Sequence, residues 1–324
     1  MSNTLNTFQV YDDEFQSGLT EVLMQNANAF NGASANTINI VPSLHRGQFA
    51  KEAFFQEISD LIRERDPGST DPDSDDDLTQ SELIMPKVNR KIQVAKTRDA
   101  FKKILTGSNP ESVFSTLLGQ QAAQAMLLDY LNTGIACLVG SVEGNADVQH
   151  DATDGNVEYT DLVTGLSKFG DAGQNIAAWV MHSKPFYDLL GQSVGIATDR
   201  IAGRAIYEGT AGTMGKPVIV TDSPFLTYLD DTDVRYRTFG LQANALSIIE
   251  SEGSMETPYT DIVTGGENIK IRIQGEHAYN TRVRGYSYTD ADANPANTDL
   301  SDDENWTKVS TDDKSTAGIL ILSQ

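Results

Sequence analysis

Gly191-Gln-Ser193-Val-Gly195 has the G-x-S-x-G spacing that can hold a nucleophilic serine exposed on a sharp turn. That device needs a strand entering and a helix leaving. Here Lys184 to Leu190, the entering segment, reads as a helix, which makes Gly191 its expected C-terminal stop. Only His277 lies downstream to serve as base, and it falls in an expected strand. A serine hydrolase therefore stands as a minor alternative, and no residue is assigned as catalytic. Gly209-Thr-Ala-Gly212-Thr-Met-Gly215-Lys216 is phosphate-loop-like but fails that pattern twice, with Thr210 where a glycine is needed and Pro217 where a hydroxyl should follow the lysine. Asp71-Pro-Asp73-Ser-Asp75-Asp76-Asp77-Leu78, followed by Glu82, places acids as a calcium-binding EF-hand loop does, but Asp76 replaces the turn glycine and Pro72 stiffens the start. A solvated acidic tip is the better account, with a calcium-stabilised surface protein as a further alternative. His45, His150, His182 and His277 are too scattered for a local metal signature. No cofactor or metal is expected.

Charge bounds the partners. Acids outnumber bases 46 to 24, for a net charge of −22, and nonspecific nucleic-acid binding needs lysine and arginine against phosphates. The chain is expected to touch DNA without holding it or reading its sequence. The single cysteine, Cys137, excludes an intrachain disulfide and points to synthesis in a reducing cytoplasm. The first residues lack a basic head and apolar core, so no signal peptide is expected. The apolar run near Met126 to Val139 is broken by Asp129 and Asn132, so no membrane is expected either.

The elements that must position any site follow from pattern. Residues 1–45, rich in Asn and Thr with anchors at Phe8, Phe15 and Phe30, read as an extended N-terminal arm. Residues 46–103 read as a projecting loop with an acidic tip and a basic return arm. Asp71, Asp73, Asp75, Asp76 and Asp77 crowd the first part, with Pro67, Gly68 and Pro72 forcing turns, and Lys87, Arg90 and Lys91 crowd the second. Two accounts stay open: the arms neutralise each other within one subunit, or one subunit's acidic tip meets its neighbour's basic arm. Over 109–140 apolar residues from Phe114 to Leu138 recur every three or four positions, predicting a long helix. Asn109 and Pro110 suit its start, and Gly119 and Gly134 are placed to bend it. Beyond a Gly- and Asp-rich link the pattern is mixed. It predicts a short helix over Tyr159 to Phe169, a buried strand Ile176 to Met181, a helix from Ser183, and strands at Pro217 to Asp222, Arg235 to Phe239 and Ala245 to Glu250. Two alternating strands, Ile269 to Gln274 and Tyr279 to Tyr288, follow.

Strand Ala177 to Ser183 running straight into a helix, the phrase Gly215-Lys-Pro-Val-Ile-Val-Thr-Asp222, and the tail with Gly285-Tyr-Ser-Tyr288, Asn294-Pro295 and Asn305-Trp306 together resemble the major capsid proteins of tailed phages. The resemblance covers about residues 105–310. It implies an α+β Hong Kong 97-type capsid fold with N-terminal arm, extended loop, spine helix, and peripheral and axial domains. The expected segments are 1–45 arm, 46–103 extended loop, 104–150 peripheral domain with spine helix, 151–265 axial domain, and 266–324 peripheral strands and C-terminal segment. It further implies hexamers and pentamers of an icosahedral shell around double-stranded DNA, assembled in the host cytoplasm and residing in the virion. A separate scaffolding protein, a portal and a decoration protein would be its partners. An encapsulin-like compartment shell shares the fold and is the structural alternative. Asp71, Asp73, Asp75, Asp76, Asp77, Lys87, Arg90 and Lys91 are the candidate intersubunit contacts.

Overall fold

A computed structural model of the chain describes residues 12–42, 49–55, 67, 80–97, 110–196, 215–251, 259–263 and 267–324. Its organising element is a helix at Pro110–Glu143 (α2), longer than the predicted 109–140 span. Residues 133–142 are buried on every side, and Ile135, Ala136, Cys137 and Leu138 fully so. A helical stretch with no exposed face must be enclosed by other elements, and two six-stranded sheets flank this one. Thr116–Glu143 is long and apolar enough to cross a membrane, but 67% of that stretch's best window is buried inside the protein, as a core helix requires.

The first sheet runs in the order β1-β9-β11-β3-β2, with β10 also on β11. These are Ile38–Pro42 (β1), Phe49–Phe55 (β2), Gln80–Thr97 (β3), Leu246–Ser251 (β9), Tyr259–Val263 (β10) and Lys270–Val283 (β11). Strand β3 serves two partners in succession: Gln80 to Pro86 pair with β2, and Lys87 to Thr97 pair with β11. A hairpin arm and a body strand are thus one continuous segment. The second sheet runs β4-β14-β8-β5-β6, with β7 on β8. Its strands are Gln149–Ala152 (β4), Ile176–Met181 (β5), Val218–Val220 (β6), Thr227–Asp230 (β7), Asp233–Gln242 (β8) and Gly318–Ser323 (β14). Strand β14, Gly-Ile-Leu-Ile-Leu-Ser, is buried along nearly its whole length and lies between β4 and β8. Continuous apolar sequence suits a central position. A small pair, Tyr286–Tyr288 (β12) and Trp306–Lys308 (β13), closes over the end of β3. Helices Tyr159–Ser167 (α3), Ser183–Ile196 (α4) and Asn297–Leu300 (α5) complete the set.

Several expectations are corrected. The N-terminal segment is not an extended arm over 12–42. Asp12–Ala33 is a helix (α1) whose Phe15, Leu19 and Leu23 are buried, and β1 follows it. Burying three large apolar side chains at helical spacing on α2 outweighs the weak helix propensity of its many Asn residues. Gly191 does not stop a helix, because α4 runs through it to Ile196. The sheets also draw their strands from several of the expected segments. Residues 246–263 join the first sheet and 318–323 the second, because each strand goes where its apolar faces are covered. Finally, the alternation through Tyr279 belongs to a single strand, β11, that ends at Val283.

Helices α1 and α2 run side by side in the same direction. Phe15 lies against Gly119 near their starts, and Phe30 meets Leu127 and Leu131 further along. A Cβ on Gly119 would stand 2.4 Å from the Phe15 carbonyl oxygen, and one on Gly18 2.7 Å from that of Thr116. Gly119 is therefore a contact glycine and not a bend. Past α1 the chain turns through Ala35 and Asn36, both at positive φ. The Asn31 side chain then accepts from the Ile40 N–H (3.1 Å) and donates to its carbonyl (3.2 Å), and Ser34 Oγ donates to the Ile38 carbonyl. These bonds cap the outer edge of β1, which would otherwise invite another strand.

Candidate assembly surfaces

A polar belt crosses the otherwise apolar seam between α2 and the first sheet. Residues 88, 90, 92 of β3 and 275, 277, 279 of β11 share one face by register, and Tyr279 and Arg90 reach α2 from it. Arg90 Nε donates to both carboxylate oxygens of Asp129 at 3.2 Å, and its Nη2 donates to Asn297 Oδ1 at 2.6 Å. The Tyr279 hydroxyl donates to Asp129 Oδ2 at 2.7 Å and lies 2.9 Å from Thr133 Oγ1. Next along, the Tyr130 hydroxyl donates to Glu250 Oε1 of β9 at 3.3 Å. Burial raises the pKa of both tyrosines, so each phenol keeps its proton as a donor. Burial also raises the Glu250 carboxyl, with the Tyr130 hydrogen bond acting in the opposite direction. His277, opposite Arg90, stacks near Tyr279, and burial lowers its pKa, as does Arg90 to a lesser degree, with Asp129 opposing both. One helix is thus tied to three strands and, through Asn297, to α5.

A second anchor ties the far end of α2 to the other sheet. Arg237 of β8 grips Glu143 with Nη2 at 2.8 and 2.9 Å, donates from Nη1 to the carbonyls of Phe225 and Thr227, and lies 4.4 Å over the Tyr228 ring. Such bidentate pairing fixes orientation as well as distance. Between the anchors Cys137, fully buried, has its thiol pKa pushed up to about 12, chiefly by burial.

The predicted contact residues separate. Asp71, Asp73, Asp75, Asp76 and Asp77, with the rest of the EF-hand-like stretch to 79, lie outside the described residues. Lys87 is buried, with interactions of its own. Arg90 is engaged inside the subunit on Asp129 of α2, which belongs to neither arm of the loop. Lys91 is exposed on the opposite face of β3, across from Glu276. Ser193 lies inside α4, where no exposed nucleophile turn exists, and most of the phosphate-loop-like stretch is outside the described residues. His150 pairs with Asp161 at 3.3 Å. His182 lies 3.4 Å from Asp222 and accepts from the Lys184 N–H, so both histidines hold local structure at helix starts. Among the described residues no cluster of His, Cys, Asp and Glu could hold a metal ion.

The family described as Gp13-like, major capsid protein 13-like, matches residues 7–320. The chain belongs to that family. It is a phage major capsid protein, and its place is the virion capsid. Comparison with solved structures agrees on the fold. The cyanophage Pam1 capsid asymmetric unit aligns with a TM-score of 0.54 and 10% identity, covering 90% of this chain and 91% of that one. The acidic stable capsid structure of Helicobacter pylori bacteriophage KHP30 gives 0.51 at 11% identity, covering 90% and 89%. Mycobacterium phage Cain gives 0.51 at 9% identity, covering 90% and 89%. No curated protein matches. The capsid protein is a structural subunit with the expected α+β capsid fold, and the two anchors of α2 hold its two sheets to one rod.

Of the anchor residues only Arg90 was among the predicted site residues, and it was expected at a contact between subunits. Asp129 had a signal: it is the one charged residue between Glu111 and Glu143, and an acid on an apolar helix calls for a buried partner. Arg237 carried no comparable sign, because its partner lies on a distant element.

Proposed function

We propose that the capsid protein assembles with its own copies into hexamers and pentamers that close as an icosahedral shell around double-stranded DNA. It encloses that DNA without holding it or reading its sequence, and it catalyses no reaction. A separate scaffolding protein directs closure, a portal occupies one opening, and a decoration protein binds outside. Within the subunit, the first sheet with α1 and α2 forms the peripheral region and the second sheet the axial one. Lys91, with the acidic tip at Asp71, Asp73, Asp75, Asp76 and Asp77 on a neighbour, remains the candidate charged contact.

One observation supports this reading above the others: the capsid family spans 7–320, so the hairpin, the long helix, the first sheet and all but the last three residues of the second fall within it. The net charge of −22 suits a wall past which DNA slides instead of sticking. Negative-stain imaging of the purified protein, alone and with its scaffold, is the test. Closed particles are expected, and a strictly monomeric species under all those conditions overturns the proposal.

A further inference from the structure

We infer that the face made by α1, β1 and the first half of α2 is an interface between two copies of this chain. The inference rests on the capsid reading and adds where one contact lies. In so acidic a sequence, residues 22–44 and 112–128 contain no Asp, Glu, Lys or Arg. The fold brings these two charge-free stretches together: they are the second half of α1 with β1, and the first half of α2.

Between them lies an apolar groove of about 250 Å³, lined by Phe30 of α1, Ile38 and Ile40 of β1, and Leu127, Leu128 and Leu131 of α2. Leu128 is 63% exposed, and Leu117, three turns earlier on the same stripe, is 51% exposed. The nearest acids on α2 and on the neighbouring strand β9 are engaged within the subunit. Asp129 is held by Arg90, and Glu250 accepts from Tyr130. The outer edge of β1 is capped by Asn31 and Ser34, so an occupant inserts side chains and does not add a strand.

Charge decides the occupant. Two copies at −22 each repel, and contact between acidic surfaces would add to that. A face free of charge removes the local repulsion and still offers apolar area to bury, which is how interface cores differ from other surface. Nucleic acid would find no cation here, and a strongly basic partner no carboxylate. A second copy of the same acidic chain is the partner this surface fits.

The test uses Leu128→Cys, since the native Cys137 is fully buried. Maleimide labelling is timed on free subunits and on particles stripped of other proteins. Labelling slowed about tenfold or more in the particle is expected, as water is excluded around a packed contact. Leu128→Glu is expected to fold normally by circular dichroism and to yield no particles where the parent does. Leu117→Glu, lying outside the groove lining, repeats the test if Leu128→Glu fails to fold. Equal labelling in both states, normal particles from the Glu variants, or protection only while another protein stays bound overturns the inference and leaves the capsid reading standing. A parent that never forms particles overturns both.

Discussion

Arg90 stands in a run of basic residues, yet its guanidinium is used inside the subunit, on Asp129 and Asn297. Its neighbour Lys91 points the other way and is exposed. The two should therefore part under mutation. Arg90→Ala leaves a partly buried carboxylate without its cation and is expected to cost about 1–3 kcal/mol by denaturant unfolding, a buried-pair value reduced because Arg90 and Asp129 are 25% and 31% exposed. Lys91→Glu is expected to shift stability by less than about 0.5 kcal/mol and to slow assembly in light scattering. Equal particle yields from Lys91→Glu and parent would remove Lys91 from the contact. His277 gives a pH signature. Both ring nitrogens are buried without a partner and burial lowers the pKa, so the fold favours neutral imidazole. The unfolded chain takes up the proton near pH 6.5 and the folded one only at lower pH. Stability is therefore kept above that value and lost as pH falls below it. Glu250, raised, has the opposite sign: its contribution is present at low pH and lost as pH rises through its folded pKa. Melting temperatures between pH 7.5 and 5.5 should fall more steeply for the parent than for His277→Gln. At this scale little was legible in advance, because a side chain's partner depends on which strands meet.

Between α1 and α2 the spacing is set by glycine. Gly119→Ala drives a methyl into the Phe15 carbonyl, a backbone atom that cannot swing away, and is expected to destabilise by about 1–3 kcal/mol. Gly32→Ala in α1 meets nothing within 4 Å and should be neutral or stabilising by up to about 1 kcal/mol. Calorimetry of the pair separates close approach from helix propensity, and similar melting temperatures would refute the contact. The sequence made α2, α3 and β5 legible because a sustained apolar period needs no tertiary help to be seen. It concealed α1, where Phe15, Leu19 and Leu23 repeat correctly among Asn and Gln that read as coil. Gly191 misled for the reverse reason: a residue that often ends helices is tolerated inside one when the flanking turns are packed.

The whole molecule is an acidic body with a neutral flank, and that should make its assembly salt-dependent. Screening shortens the range of repulsion from roughly 10 Å at 0.1 M salt to about 3 Å at 1 M. Assembly of purified subunits is expected to speed up as sodium chloride rises from about 0.05 to 0.5 M, followed by light scattering. A slowing over that range would mean that ion pairs, not a charge-free face, carry the contact. Fold class was legible at this scale because phrases and element order survive in sequence. The division into sheets was not, since β9 pairs with β1, and β14 with β4 and β8, far away along the chain.

Strand β14 is the last segment of the second sheet to leave a ribosome, and its slot is in the middle. Until residues 318–323 arrive, β4 and β8 each lack a neighbour on an inner side. A subunit that lost this strand would carry two unpaired edges inside its sheet, each a template on which a foreign strand could be captured in its place.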